Sequence, residues 1–129
     1  MHSDIANNIG IVPSIDPQAH TASANGAGVD LADFGSAAVV VVAGAITDGT
    51  HTITVEESDD NSAFTAVAAE DLDGTYTVID SDDDGTVQKV GYQGTKRFIR
   101  AVTTVAGVTT GGIYGVHVVK GSPRVAPVA

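Results

Sequence analysis

SAAVVVVAGAITDGTHTITVEE, residues 36–57, is the stretch on which the fold of this chain turns. Its opening part, residues 36–43, contains the unbroken apolar run AAVVVVA, far shorter than the roughly 20 residues that cross a bilayer. Four consecutive β-branched valines favour a strand over a helix, and an apolar run without alternation predicts a strand buried on both faces or at the centre of a sheet. The closing part, residues 51–57, alternates Ile53 and Val55 with Thr52, Thr54 and Glu56, the period of a strand with one wet face. Asp48-Gly49 stands between the two parts, and glycine tolerates the positive φ of a tight turn. The stretch therefore predicts a β-hairpin.

Working outward, the same alternation recurs at the spacing of a β-sandwich. A short strand is expected over 64–68, then strands over 75–80 and 86–92 flanking the acidic loop 81–85. Residues 97–105 turn near Ala106-Gly107 and return as 113–120, where Tyr114, Val116 and Val118 share one face. With a short strand near 19–24 the total is seven or eight, and DLADF (residues 30–34) supplies at most one helical turn. The fold class is all-β: a single antiparallel β-sandwich, jelly-roll or immunoglobulin-like, with a barrel as the competing closure of the same pattern. The expected core is Val39, Val41, Ile53, Val55, Phe64, Val78, Val90, Phe98, Val102, Tyr114, Val116 and Val118.

The two ends read differently. Residues 1–18 carry Pro13 and Pro17 and an aperiodic scatter of Ile5, Ile9, Ile11, Val12 and Ile15, which predicts an extended arm ahead of a sandwich over 19–120. Residues 121–129, with Pro123 and Pro127, predict a second, shorter tail. Five aliphatic side chains that cannot bury themselves within an arm need a neighbour, so these five are the expected contacts with a partner. The basic residues Lys96, Arg97 and Arg124 are the expected polar contacts beside them.

Composition limits the chemistry. The chain of 129 residues has no Cys, which removes disulfides, thiol nucleophiles and Cys-ligated metals. Its net charge of -10 is segregated: all 16 acidic residues lie between Asp4 and Asp84 and all six basic ones lie after them. An acidic surface repels nucleic acid, so none is expected as a partner, but the split suits association between the two kinds of surface, in another copy or in a different protein. The opening MHSDIANNIG has neither a basic n-region nor an apolar h-region, so synthesis in the cytoplasm without export or membrane anchorage is expected.

No motif rises to a catalytic constellation. Asp80, Asp82, Asp84 and Gly85 match the front half of a calcium loop, but the position of the closing bidentate Glu is Gly91. The cluster Glu56, Glu57, Asp59 and Asp60 could add ligands only if the fold brought the two together. His2, His20, His51 and His117 match no metal spacing and are expected on the surface or in strands. Residues 91–97 (GYQGTKR) lack the spacing of a phosphate loop, no GxSxG elbow is present, and six aromatic residues without Trp are too few to line a sugar cleft. Neither an enzyme nor a cofactor is expected.

Residues 19–127 resemble small proteins encoded among the head genes of tailed bacteriophages and prophages, near the major capsid gene. The resemblance rests on DGTHT (48–52), ESDDN (57–61), GTKRFIR (94–100) and GSPR (121–124), which are turn and strand strings. It implies a head-decoration (auxiliary or cement) protein with the major capsid protein as partner, made in the host bacterium and located on the virion. It also implies a homo-oligomer, with a trimer favoured at the local three-fold axes, and it brings no active-site residues. The competing expectations are a virion-surface recognition module for carbohydrate or host surface, and a tail-tube or head–tail connector component.

Overall fold

The computed structural model describes residues 4–126 and 128, and places ten β-strands in two antiparallel sheets. The long strands are β1 (Gly10–His20), β4 (Phe34–Ile46), β5 (Thr50–Ser58), β8 (Val87–Tyr92), β9 (Phe98–Ala106) and β10 (Gly112–Pro123). Four others are two-residue segments: β2 (Ala24–Asn25), β3 (Val29–Asp30), β6 (Thr65–Ala66) and β7 (Leu72–Asp73). The first sheet runs β1-β10-β4-β8-β7; in the second, β2 and β3 lie along β9, followed by β5 and β6. Among the described residues helix is confined to three single 3₁₀ turns, Ala6–Asn8, Ala69–Asp71 and Ser81–Asp83. The all-β sandwich expected from the sequence is the observed architecture.

The two sheets close on one core. Val39 and Val41 of β4 and Val116 and Val118 of β10 meet Ile53 and Val55 of β5 and Ile99 and Ala101 of β9. Each fully buried valine contributes roughly 1.5–3 kcal/mol over leaving it in water. Four core expectations miss. In β9 the inward set is Ile99, Ala101 and Thr103, leaving Phe98 and Val102 half-buried on the outside with Arg100. A charged residue on one face of a strand sends that whole face to solvent, because side chains alternate strictly. Ile79, not Val78, is buried, and Phe64 is half-buried beneath the Arg100 guanidinium, 4.1 Å from its ring centre.

The expected hairpin over residues 36–57 does not form. β4 pairs with β10 and β8 in the first sheet, whereas β5 pairs with β9 and β6 in the second. Thr47-Asp48-Gly49 is instead a corner between the sheets. Gly49, at φ 80°, lies against Val108 and Ala106, and the Asp48 carboxylate accepts from the backbone N–H groups of Thr109, Thr110 and Gly111 at 2.8–3.2 Å. These hydrogen bonds, those from Thr110 and Gly111 foremost, hold the Asp48 carboxyl below the usual carboxylate range. The expected turn from β9 back to β10 is a second crossing between sheets, tied to the first by Asp48. The strand expected over 75–80 reduces to a single bridge, Ile79 to His51.

The arms also shrink. Residues 10–18 are not an arm: β1 is the edge strand of the first sheet, in register with β10 from Gly10 opposite Lys120 to His20 opposite Gly112. Pro13 and Pro17 are compatible with that because an edge strand has one unpaired side and β1 is bulged beside both. At the other end β10 continues to Pro123, opposite Phe34, so the sandwich spans residues 10–123.

Candidate functional site

The polar interior comes first, because it holds the buried histidines. His51 and Tyr114 are fully enclosed; the Tyr114 hydroxyl lies 3.0 Å from His51 Nδ1 and 2.6 Å from Thr103 Oγ1, and His51 Nε2 lies 3.2 Å from the Asp48 carbonyl oxygen. His20 stacks on the other side of the Tyr114 ring, with Nε2 2.9 Å from the Tyr114 carbonyl oxygen. No fully buried side-chain polar atom among the described residues lacks a hydrogen-bond partner, so this set is a satisfied structural network. The expectation of surface or strand histidines holds in its strand form: His20 lies in β1 and His51 in β5, both buried, and His117 is half-buried on the outer face of β10; His2 lies outside the described residues.

The acidic clusters stay apart. Asp80 and Asp83 cap each other's backbone around the Ser81–Asp83 turn, and Asp84 Oδ1 accepts from the Ile46 N–H at 2.8 Å. The second cluster sits at the opposite end of the sandwich, where Glu56 binds Arg100, Glu57 accepts from the Tyr92 hydroxyl, Asp59 binds Lys96 and Asp60 caps residues 62–63. Among the described residues no group of three or more His, Asp or Glu side chains is arranged to hold a metal ion. An apolar cleft of about 220 Å3 between β5 and residues 72–76 contains one titratable side chain, Tyr76, whose phenol burial pushes up and whose hydroxyl donates to the Val39 carbonyl.

What converges is the end of the sandwich where Asn7 and Val128 meet. The Val128 N–H donates to the Asn7 carbonyl at 2.8 Å, the Arg124 N–H to Asp33, and the Leu31 N–H to Arg97. Beside the last two contacts lies an open groove of about 450 Å3, walled by residues 31–37, by Tyr92 and residues 94–97, and by Arg124. Lys96, Arg97 and Arg124, distant in sequence from residues 31–37, thus share one concavity with them. Each cation has an acidic partner: Lys96 with Asp59 at 2.9 Å, Arg97 with Asp30 at 2.8 Å, Arg124 with Asp33 at 3.5 Å. The Arg97 fork grips Asp30 through both nitrogens and holds that carboxyl down to about 2. Tyr92 closes the groove floor. Its hydroxyl accepts from the Lys96 N–H and donates to Glu57, and burial first, then Glu57, pushes it up to about 12. A side chain at position 94 would collide with the Tyr92 ring, so the groove needs Gly94.

The five aliphatic candidates separate. Ile15 is a core residue and Val12 packs half-buried against the core, because both point inward from β1. Ile9 is half-buried. Ile5, 68% exposed, immediately precedes the Ala6–Asn8 turn, and Val125, 76% exposed, follows Arg124 of the groove wall. Ile11 is also exposed, on the outer face of the first sheet. No helix of the described residues is long and apolar enough to cross a membrane. Neither a protein-family model nor a curated protein sequence matches the chain.

Proposed function

We propose that this protein is a non-enzymatic structural component of a virion, a decoration or cement protein that binds the outer surface of a tailed-phage head and stabilises it. The major capsid protein is its partner, together with further copies of itself. One observation supports the reading: Lys96, Arg97 and Arg124, named as contacts from sequence, line one open groove, and the exposed Ile5 adjoins the Ala6–Asn8 turn that Val128 hydrogen-bonds at that end of the sandwich. Exposed ion pairs such as Arg124 with Asp33 contribute little to folding, so their cations can change partner at small cost when an acidic neighbour arrives. The head-gene resemblance of residues 19–127 points the same way. Many such weak contacts repeated by symmetry raise the stability of a shell by mass action.

Incubation of the purified protein with undecorated shells tests the reading. Wild type is expected to decorate the outer surface and raise the temperature of genome release. Arg97→Glu with Arg124→Glu, and a chain lacking residues 2–9, are expected to fold and to lose occupancy. Equal shell stability with and without the protein excludes the cement role. Loss of host adsorption without loss of shell stability indicates a recognition module, and density at the neck or tail a connector.

A further inference from the structure

The outer face of the first sheet lacks the polar half that a solvent-facing sheet normally carries. Across β1, β10, β4 and β8 the outward positions include Ile11, Ile113, Val119, Val40, Val42 and Val87. Of these Ile11 is 60% exposed, Val42 46%, Val87 63% and Ile113 47%. Two polar side chains, Lys89 and His117, flank Val40 in the middle row. Glycine keeps the face flat where side chains would crowd: Ile113 lies over Gly44 and Pro17 over Gly115.

We infer that this face is a self-association surface, on which a second copy of the chain packs sheet to sheet about a two-fold axis. Three observations select that occupant. The first is charge. The chain carries -10, yet the three inner strands β4, β8 and β10 contain no acidic residue, and the carboxylates of this sheet, Asp16 of β1 and Asp73 of β7, lie on its two edge strands, so two copies can meet over the centre of the face without setting carboxylates against each other there. The second is area. Four strands about 4.8 Å apart and roughly 25 Å long give a face on the order of 500 Å2, so a pair covers about 1,000 Å2, enough for a specific interface. The third is the edge. Pro13 and Pro17 interrupt the donors of β1, and the other edge strand, β7, is only two residues long, so neither edge of this sheet favours addition of a strand. Two flat apolar sheets of equal twist are self-complementary in an aligned packing. The contact goes beyond the decoration role: it forms in solution without a shell, and it predicts pairs where the head-gene resemblance implies trimers.

Sedimentation equilibrium of the isolated full-length protein tests this. Wild type is expected at twice the 13.0 kDa chain mass, with association strengthening as salt screens the acidic remainder. Val42→Lys combined with Val87→Lys is expected to weaken pairing by at least about 30-fold, the loss typical of a central interface residue. Thr54→Lys on the outer face of the second sheet adds the same kind of charge elsewhere and is expected to leave the mass unchanged. Circular dichroism and melting confirm that each variant is folded. A one-chain or three-chain mass for wild type overturns the inference, as does a pair insensitive to the double lysine variant. If the shells are decorated but the free protein is monomeric, the pairing fails and the decoration role stands; paired protein that ignores shells gives the converse.

Discussion

The two outer faces of the sandwich make an instructive pair. On the second sheet Thr52 faces Thr104, Thr54 faces Val102 and Glu56 faces Arg100, a mixed and mostly polar surface. On the first sheet Val42 lies between Val87 and Gly115, and Ala38 between Gly91 and Val119. Both sheets are antiparallel, both bury their inner faces in the same core, and both have five strands. The difference lies wholly in the outward half of the alternation, which folding of one chain leaves unconstrained. A surface that folding does not require to be apolar, and that is apolar nonetheless, is the observation behind the proposed pairing.

The largest expected effect separates the inside of the first sheet from its outside at adjacent positions. Val41→Asp puts a carboxylate among fully buried neighbours and is expected to cost more than about 4 kcal/mol, whereas Val42→Asp leaves the isolated fold within about 1 kcal/mol of wild type; urea denaturation at low protein concentration reads both. Next is the polar network between the sheets. Tyr114→Phe removes the partner of His51 Nδ1 and Thr103 Oγ1 together and is expected to destabilise by about 1–3 kcal/mol, without altering association. On the outer face of the second sheet, Arg100→Ala loses a half-buried ion pair with Glu56 and its stacking on Phe64, an expected loss of about 1 kcal/mol in thermal unfolding.

The smallest expected effect is a pH slope at the groove. Asp30 falls from an unfolded value of about 3.9 to about 2 in the folded protein, because Arg97 favours its charged form. A depressed carboxyl stabilises the fold above its unfolded value and loses that contribution as pH falls through the folded value. Wild type is therefore expected to lose its advantage over Asp30→Asn between about pH 4 and pH 2. Since the pair is largely exposed, with side-chain exposures of 57% and 43%, the change is on the order of a few tenths of a kcal/mol. Acid titration of the two melting temperatures reads it.

How much of this was legible in the sequence follows from which features are local. The all-β class, the burial of Val39, Val41, Ile53 and Val55, and the doubly apolar character of residues 37–43 all follow from residue type and period. The phase of β9 was legible too, since Arg100 shares a face with Phe98 and Val102; size and hydrophobicity of Phe98 suggested the opposite phase. Strand partners were not legible, because a short glycine-containing link such as Thr47-Asp48-Gly49 serves a corner between sheets as readily as a hairpin, and long-range pairing decides. The prolines of β1 signified absence of pairing only so long as its place at a sheet edge was unknown. Of the candidate contacts, Lys96, Arg97 and Arg124 are joined by the fold alone, and Ile15 left the set because it has the inward phase of a strand the sequence presented as an arm. The burial of His20 and His51 around Tyr114 had no sequence signature at all.

A three-dimensional reconstruction of shells incubated with the wild-type protein tests the central claim most directly. The account predicts density on the outer shell surface, with the end that carries Ile5, Arg97 and Arg124 against the capsid and the valine-rich faces of neighbouring copies packed together. Bare shells, or bound copies whose groove end faces solvent, would contradict it.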